Sequence, residues 1–323
     1  MTGVVTALYT VPVGEVWPED EVKRLHDYVT SHGLEMEVIE SVPVSEDIKL
    51  HRGDYKRHIE NFKENIRILS RHGVKCICYN FMPVFDWTRS QLDHKLPDGS
   101  EALVYYKEDV DKLDPTKLTL PGWDASYKPS EVKELIEAYK KLGEEGLWAN
   151  LKYFLEEIIP VARECDVLMA IHPDDPAWPI FGIPRIITCE KNLDRFLGLV
   201  DDHYNGLTLC SGSLGTNPQN DMVHLVKKYA AMDRIHFAHI RNIKLVGEES
   251  FEESAHYSKC GSLDMFGMIK AYHDAGYTKY IRPDHGRMIW DEKAKPGYGL
   301  YDRALGSMYI TGIWEALDRM EDK

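Results

Sequence analysis

A histidine, a cysteine, a second histidine and an aspartate stand at comparable places in four short apolar runs. The runs are Val-Leu-Met-Ala-Ile-His ending at His172, Leu-Thr-Leu-Cys ending at Cys210, Ile-His-Phe-Ala-His ending at His239, and Tyr-Ile-Arg-Pro-Asp ending at Asp284. Each reads as a buried strand that gives way to turn residues at the polar group. In a barrel of parallel strands every C-terminal end points to one mouth, so groups 38, 29 and 45 positions apart converge there. Imidazole, thiolate and carboxylate together suit a first-row transition metal, whereas magnesium and calcium prefer surroundings made of oxygen. Zinc is the first expectation from donor type, either closed in a tetrahedral structural site or held in a larger sphere with room for substrate. Donor type alone does not choose the metal.

Several neighbours could act beside such a metal. His285 follows Asp284 directly, and strict alternation along a strand would turn it to the opposite face. Gly286 lets the chain leave the pleat, and if the strand ends at Pro283 both side chains can face the mouth, with Asp284 on the metal and the His285 imidazole free to move a proton. Arg241 and Asn242 trail His239 and are expected to grip a carboxylate or hydroxyl, since guanidinium binds carboxylate through two parallel hydrogen bonds. Tyr298 and Tyr301 lie on the segment after the Asp284 strand, where either could serve as an acid. Trp87 and Arg89 open the stretch at about 81–143, which is too long for an ordinary strand-to-helix connection. Following a strand's C-terminal end, that stretch is expected to lie beside the mouth, either as a lid carrying Trp87 and Arg89 toward a ligand or as a surface excursion with Trp87 packed beneath it.

The elements that must position these residues alternate regularly. Strands are predicted at 3–9, 34–40, 74–80, 166–172, 206–210, 234–239 and 278–282, apolar enough for burial on both faces. Helices are predicted at about 19–32, 54–72, 130–142, 144–164, 190–203, 218–231, 262–275 and 302–320. Three helices run into His-Gly or Ala-Gly at Gly33, Gly73 and Gly276, with a strand close behind, as suits a left-handed residue closing a helix. Repeated strand and helix units argue for a parallel sheet with helical crossovers. With donors on four successive strands and no phosphate-type glycine-rich turn after the first, a closed α/β (β/α)8 TIM barrel is preferred to an open doubly wound sheet. Only seven strands are evident, and the chain begins inside one, so the expected barrel lacks its first strand. Residues 1–323 are read as a single domain.

Net charge is −14 and no Lys/Arg-rich run occurs, so neither nucleic acid nor an anionic membrane surface is an expected partner. No apolar stretch approaches the roughly 20 residues that span a bilayer, and the start lacks the pattern of a signal peptide. A cytoplasmic enzyme is expected. The six cysteines include no Cys-x-x-Cys pair, and reduced thiols are expected in a chain able to build its own core.

With these residues assembled, the chain resembles the bacterial mannonate dehydratases of the xylose-isomerase-like barrel type, lyases of hexuronate (glucuronate) breakdown. The resemblance spans essentially the whole chain. It is carried by Val-Pro-Val-Gly from Val11, Ile-Glu-Ser-Val-Pro-Val from Ile39, Tyr-Asn-Phe-Met-Pro-Val-Phe-Asp-Trp-Thr-Arg from Tyr79 and Leu-Asp-His-Lys-Leu-Pro-Asp-Gly from Leu92. Ile-His-Pro-Asp-Asp-Pro from Ile171, Cys-Ser-Gly-Ser from Cys210 and Arg-Pro-Asp-His-Gly-Arg from Arg282 complete it. The resemblance implies manganese(II), Mn²⁺, on His172, Cys210, His239 and Asp284, with iron(II) the alternative and zinc behind both. It implies His285 and a tyrosine of the following segment as proton-transfer groups, with Trp87 and Arg89 closing over the sugar acid. The implied reaction removes water from D-mannonate to give 2-dehydro-3-deoxy-D-gluconate. Family members carry an aromatic- and arginine-containing first strand ahead of the motif that begins here at Thr-Gly-Val-Val, in keeping with the strand count. A homo-oligomer, a dimer, is expected. Two other readings stand beside this one: a metal-dependent sugar isomerase or epimerase on the same barrel, and a non-catalytic relative that binds a sugar acid.

Overall fold

The computed structural model of the chain describes residues 2–115 and 129–321. In chain order the first elements are β1 (Gly3–Thr6), α1 (Glu19–Ser31), β2 (Glu35–Glu40), α2 (Glu46–Leu50), α3 (Tyr55–Arg71), β3 (Cys76–Tyr79), β4 (Gln91–Lys95), β5 (Glu101–Tyr105) and α4 (Lys107–Val110). After them come α5 (Pro129–Glu164), β6 (Leu168–Ile171), α6 (Glu190–Leu199), β7 (Asn205–Cys210), α7 (Ser211–Leu214) and α8 (Met222–Ala231). The chain closes with β8 (Ile235–His239), β9 (Asn242–Gly247), β10 (Ser250–Ser254), α9 (Met265–Asp274), β11 (Tyr280–Arg282) and α10 (Leu300–Glu321).

Seven strands form one parallel sheet in the order β1-β2-β3-β6-β7-β8-β11. All residues of β3, β7 and β8 are buried, as they must be when helices cover one face and the barrel interior the other. The helices earn their places by apolar spacing. In α3, Ile59, Phe62, Ile66 and Leu69 recur every three or four residues and are all buried. Gly33, Gly73 and Gly276 take φ of 70°, 81° and 62° just beyond α1, α3 and α9, as the sequence predicted. Gly143, at φ 68° and ψ 179°, divides α5 where two separate helices were expected. As expected from the strand count, the TIM-barrel-like sheet has seven strands. It is open between β1 and β11, where a cleft of about 570 Å³ is lined by Val4, Val5, Phe237, Ile281, Ile310 and Trp314.

The stretch beginning at residue 81 departs from a simple lid. Within it β4 and β5 form a hairpin, and β5 pairs antiparallel with β10, giving a second sheet in the order β4-β5-β10-β9. None of these four strands was predicted. Their local pattern is weak: β4 is Gln-Leu-Asp-His-Lys with no buried residue, so pairing across the chain rather than apolar alternation fixes it. The sheet has a small core of its own in Tyr105, Val110, Trp178, Ile180, Ile243 and Phe251. Residues 116–128 of the predicted 81–143 insertion lie outside the described residues.

The main core wraps the sheet with helices. Phe154 of α5 is fully buried, edge-on to Phe62 at 5.1 Å and to Tyr79 at 5.9 Å between ring centroids. Phe154→Ala is expected to lower unfolding free energy by about 3–5 kcal/mol, measured by denaturant titration of both proteins.

Candidate metal and proton-transfer site

The four predicted donors do converge. His172 follows β6, Cys210 ends β7, His239 ends β8 and Asp284 follows β11. One ligand atom from each lies within 4.8 Å of the others. Cys210 Sγ is 3.5 Å from Asp284 Oδ2, and His239 Nδ1 is 3.5 Å from Asp284 Oδ1. The His172 Nδ1 lies 2.7 Å from the Pro173 carbonyl, which fixes a proton there and leaves Nε2 as a lone-pair donor. His239 is wholly buried, and among the described residues neither of its ring nitrogens makes a hydrogen bond, although Glu40 and Asp284 stand 3.4 and 3.5 Å away. A buried imidazole that makes no hydrogen bond is costly, and a cation among these donors removes that cost. The residues therefore fit a transition-metal ion.

Local backbone conformation aims Asp284 and His285. The strand stops at Arg282, and Asp284 adopts φ 61°. The strand thus ends ahead of Pro283, in line with the expected early end, and the left-handed residue is Asp284 itself, one of the few residue types that tolerate that region, with Gly286 beyond it. Both side chains then reach the interior: Asp284 joins the metal donors, and His285 Nδ1 lies 2.7 Å from Glu253 Oε1. The ring of Trp87 stands edge-on to His285 at 5.9 Å, and that of Tyr298 lies 5.7 Å away on another side. Burial, aided by the charges of Asp284 and Glu40 and opposed by Arg282, pushes the Tyr298 phenol above its ordinary pKa.

Arg89 and Arg241 are placed differently from expectation. Both are buried and fully engaged by carboxylates. Arg241 reaches Asp284 Oδ2 at 2.7 Å, Asp175 Oδ2 at 2.6 Å and Glu253 Oε1 at 3.1 Å. Arg89 holds Asp175 with two bonds of 2.8 and 3.0 Å and Glu253 at 2.7 Å. Both guanidiniums hold the site's carboxylates. Gly212 makes room for this, since a Cβ there would sit 2.4 Å from Arg241 Cζ. Asn242 also departs from expectation, its amide bonding the backbone of Ala255, Tyr257 and Leu263. Tyr301 lies on α10 against Trp290, 48% exposed, and is not brought to the metal donors.

Sequence reasoning missed Glu40, Asp175, Glu253 and Arg282. Arg282 binds Asp284 at 2.5 Å and Glu40 at 2.6 Å, and Glu40 lies 3.4 Å from His239. Burial raises the pKa of Glu40, but Arg282 and His239 outweigh it and hold the carboxyl near 2. Burial likewise opposes ionisation of Glu253, and His285, Arg241 and Arg89 together bring it to about 2. A signal existed for Asp175 in the Pro-Asp-Asp-Pro run beside His172; Glu253, on an unpredicted strand, gave none.

Four candidate metal donors at the mouth of an α/β barrel, with a buried histidine and a tyrosine beside them, are the layout of a barrel enzyme. The chain belongs to the D-mannonate dehydratase (UxuA) family, whose pattern matches residues 1–323. It is 55% identical over 319 residues to mannonate dehydratase 2 of Halalkalibacterium halodurans, covering 98% of this chain and 92% of that one. It is 54% identical over 332 residues to mannonate dehydratase of Thermotoga maritima, covering 99% and 92%. The crystal structure of mannonate dehydratase from Streptococcus suis superposes with a TM-score of 0.93 at 47% identity, covering 100% of this chain and 89% of that one. The activity is accordingly that of a hydro-lyase acting on D-mannonate, and the isomerase and non-catalytic readings give way to it. A D-tagatose 3-epimerase-like protein, at 11% identity and a TM-score of 0.54, shares the fold alone.

The Glu253 carboxyl has a folded-state pKa of about 2 against an ordinary 4.5. Its stabilising contribution is therefore complete above pH 4.5 and declines as pH falls toward 2, by about 1.4 kcal/mol per pH unit for this one group. Glu253→Gln is expected to melt lower than wild type at pH 7 and to lose stability less steeply between pH 4.5 and 3, read from thermal unfolding across that range.

Proposed function

We propose that the site converts D-mannonate to 2-dehydro-3-deoxy-D-gluconate in hexuronate breakdown, with manganese(II) held by His172, Cys210, His239 and Asp284. The observation that carries this reading is the convergence of those four donors within 4.8 Å, beside His285. Manganese is preferred on the strength of the family resemblance, iron(II) next and zinc last. A bound divalent ion supplies positive charge to the substrate oxygens and so offsets the negative charge that develops when the C2 proton leaves.

The chain's own groups divide the remaining work. The C2 proton is only weakly acidic beside a carboxylate, and the C3 hydroxyl leaves poorly unless protonated. Glu253 accepts the Nδ1 proton of His285, which frees Nε2 to take the C2 proton. The Tyr298 phenol, kept protonated by burial, is suited to donate to the departing C3 hydroxyl. Trp87, packed edge-on against His285, shields that nitrogen from water. Arg89 and Arg241 act at one remove, by fixing Asp175, Glu253 and Asp284. The enol released by elimination then ketonises.

We place this chemistry in a single-domain cytoplasmic enzyme that works as a homodimer. Among the described residues no helix is long and apolar enough to cross a membrane. Exposed Trp290, Leu300, Leu305 and Met308 on and beside α10 favour self-association.

The test is formation of 2-keto acid from D-mannonate by manganese-loaded protein, with D-gluconate as control. Turnover of D-mannonate only is expected; its absence overturns the reading. Cys210→Ser is expected to lose most bound metal by elemental analysis and turnover with it. His285→Asn and Tyr298→Phe are expected to keep wild-type metal content while kcat falls about 10²–10⁴-fold. Unchanged kcat in either would remove that residue from its role.

A further inference from the structure

A sugar acid brings a carboxylate into this site, and most nearby cations are already matched. Arg89 and Arg241 are tied to Asp175, Glu253 and Asp284, and Arg282 to Glu40 and Asp284. Arg303, on the first turn of α10, differs from them. Among the described residues its guanidinium has neither a carboxylate nor a carbonyl partner, and its Nε is buried without a hydrogen bond. Its Cζ lies 5.7 Å from the centre of the Tyr298 ring, which itself lies 5.7 Å from His285.

The backbone is shaped to let this side chain through. A Cβ at Gly286 would meet Arg303 Cγ at 2.8 Å and the Gly299 carbonyl oxygen at 2.4 Å. The arginine stem therefore crosses directly over the residue that follows His285. Burial and the neighbouring positive charge of Arg282 both lower the Arg303 pKa, against the opposing pull of Tyr298, Asp284 and Glu292, none of which makes an ion pair or hydrogen bond with it. A half-buried guanidinium with no carboxylate in contact is costly, and a bound anion relieves that cost. The start of α10 offers no competing anion site, because the Leu300 and Tyr301 N–H groups already donate to Glu292 at 2.8 and 3.3 Å.

We propose that Arg303 anchors the substrate carboxylate, donating to it beside Tyr298 and so selecting an aldonate over a neutral sugar of the same length. The assignment rests on the dehydratase reading of the site. It makes Arg303 a substrate-binding residue whose loss weakens binding much more than turnover.

The experiment uses manganese-loaded wild type, Arg303→Ala and Arg303→Lys. Arg303→Ala is expected to raise KM for D-mannonate about 10–100-fold, the range for a lost charge-assisted hydrogen bond, with kcat changed less and metal content unchanged. Free guanidinium ion should recover part of the loss, and Arg303→Lys should fall between the two. Calorimetry on a His285→Asn background separates binding from chemistry, with D-mannonate and D-mannitol as the charged and neutral probes. Preference for D-mannonate should vanish when Arg303→Ala is added. A KM within twofold of wild type, or a retained preference for the acid, overturns the proposal. If Arg303→Ala does not fold, Arg303→Gln keeps the stem over Gly286 and removes only the charge, and the same readings apply. Failure of wild type to dehydrate D-mannonate would instead overturn the dehydratase reading, and the calorimetric preference would still decide the role of Arg303.

Discussion

Two buried guanidiniums hold the mouth of this barrel together. Arg241 alone binds carboxylates from three separate elements: Asp284 after β11, Asp175 after β6 and Glu253 in β10. Arg89, arriving from the segment after β3, grips two of the same three. An isolated buried charge is strongly unfavourable, so each member depends on the others for its ionised state. Four carboxylates, Glu40, Asp175, Glu253 and Asp284, face three guanidiniums, Arg89, Arg241 and Arg282. The surplus of negative charge lies next to His239, whose ring nitrogens make no hydrogen bond among the described residues, and that is where a cation fits.

This network also explains the second sheet. Its strands β5 and β10 come from segments about 150 residues apart in sequence, and the Arg89 to Glu253 bond spans 164 positions. Glu253 therefore serves both surfaces at once. It anchors the small sheet over the mouth and fixes the proton on His285 Nδ1. The sheet is less a cover laid on a finished site than the carrier of one of its parts. Arg89 adds a contact of 4.9 Å to the ring of Phe251 in the small core, joining the ionic and apolar layers.

The Asp284–His285 pair shows a backbone decision of the same kind. Successive residues of a strand face opposite ways, yet both of these are needed on one side. A left-handed turn at Asp284 resolves the conflict, and ion pairs from Arg241 and Arg282 to the same side chain hold the turn in place. Gly286 serves another end, the passage of the Arg303 stem.

What the sequence by itself determined was the barrel and the four residues that converge at its mouth. Strand ends followed by turn residues, and helices closed by glycine, are local patterns repeated with each unit. His172, Cys210, His239 and Asp284 could be read because they recur at one place in that repeat, and parallel topology then brings them together. His285 was noticed as the neighbour of Asp284, and Trp87 as part of the long segment that follows a strand end. Arg89, Arg241 and Asn242 were noticed too, as grips on substrate. The groups they bond lie on other elements, and no local pattern shows that a guanidinium is already paired. Only the tertiary structure decided the four-stranded sheet, the place of Glu253, and that Arg303, among the described residues beside the site, has no carboxylate in contact. The physical reason is that charge pairing depends on distance after folding, and distance between residues such as Arg89 and Glu253 has no counterpart in either residue's sequence neighbourhood.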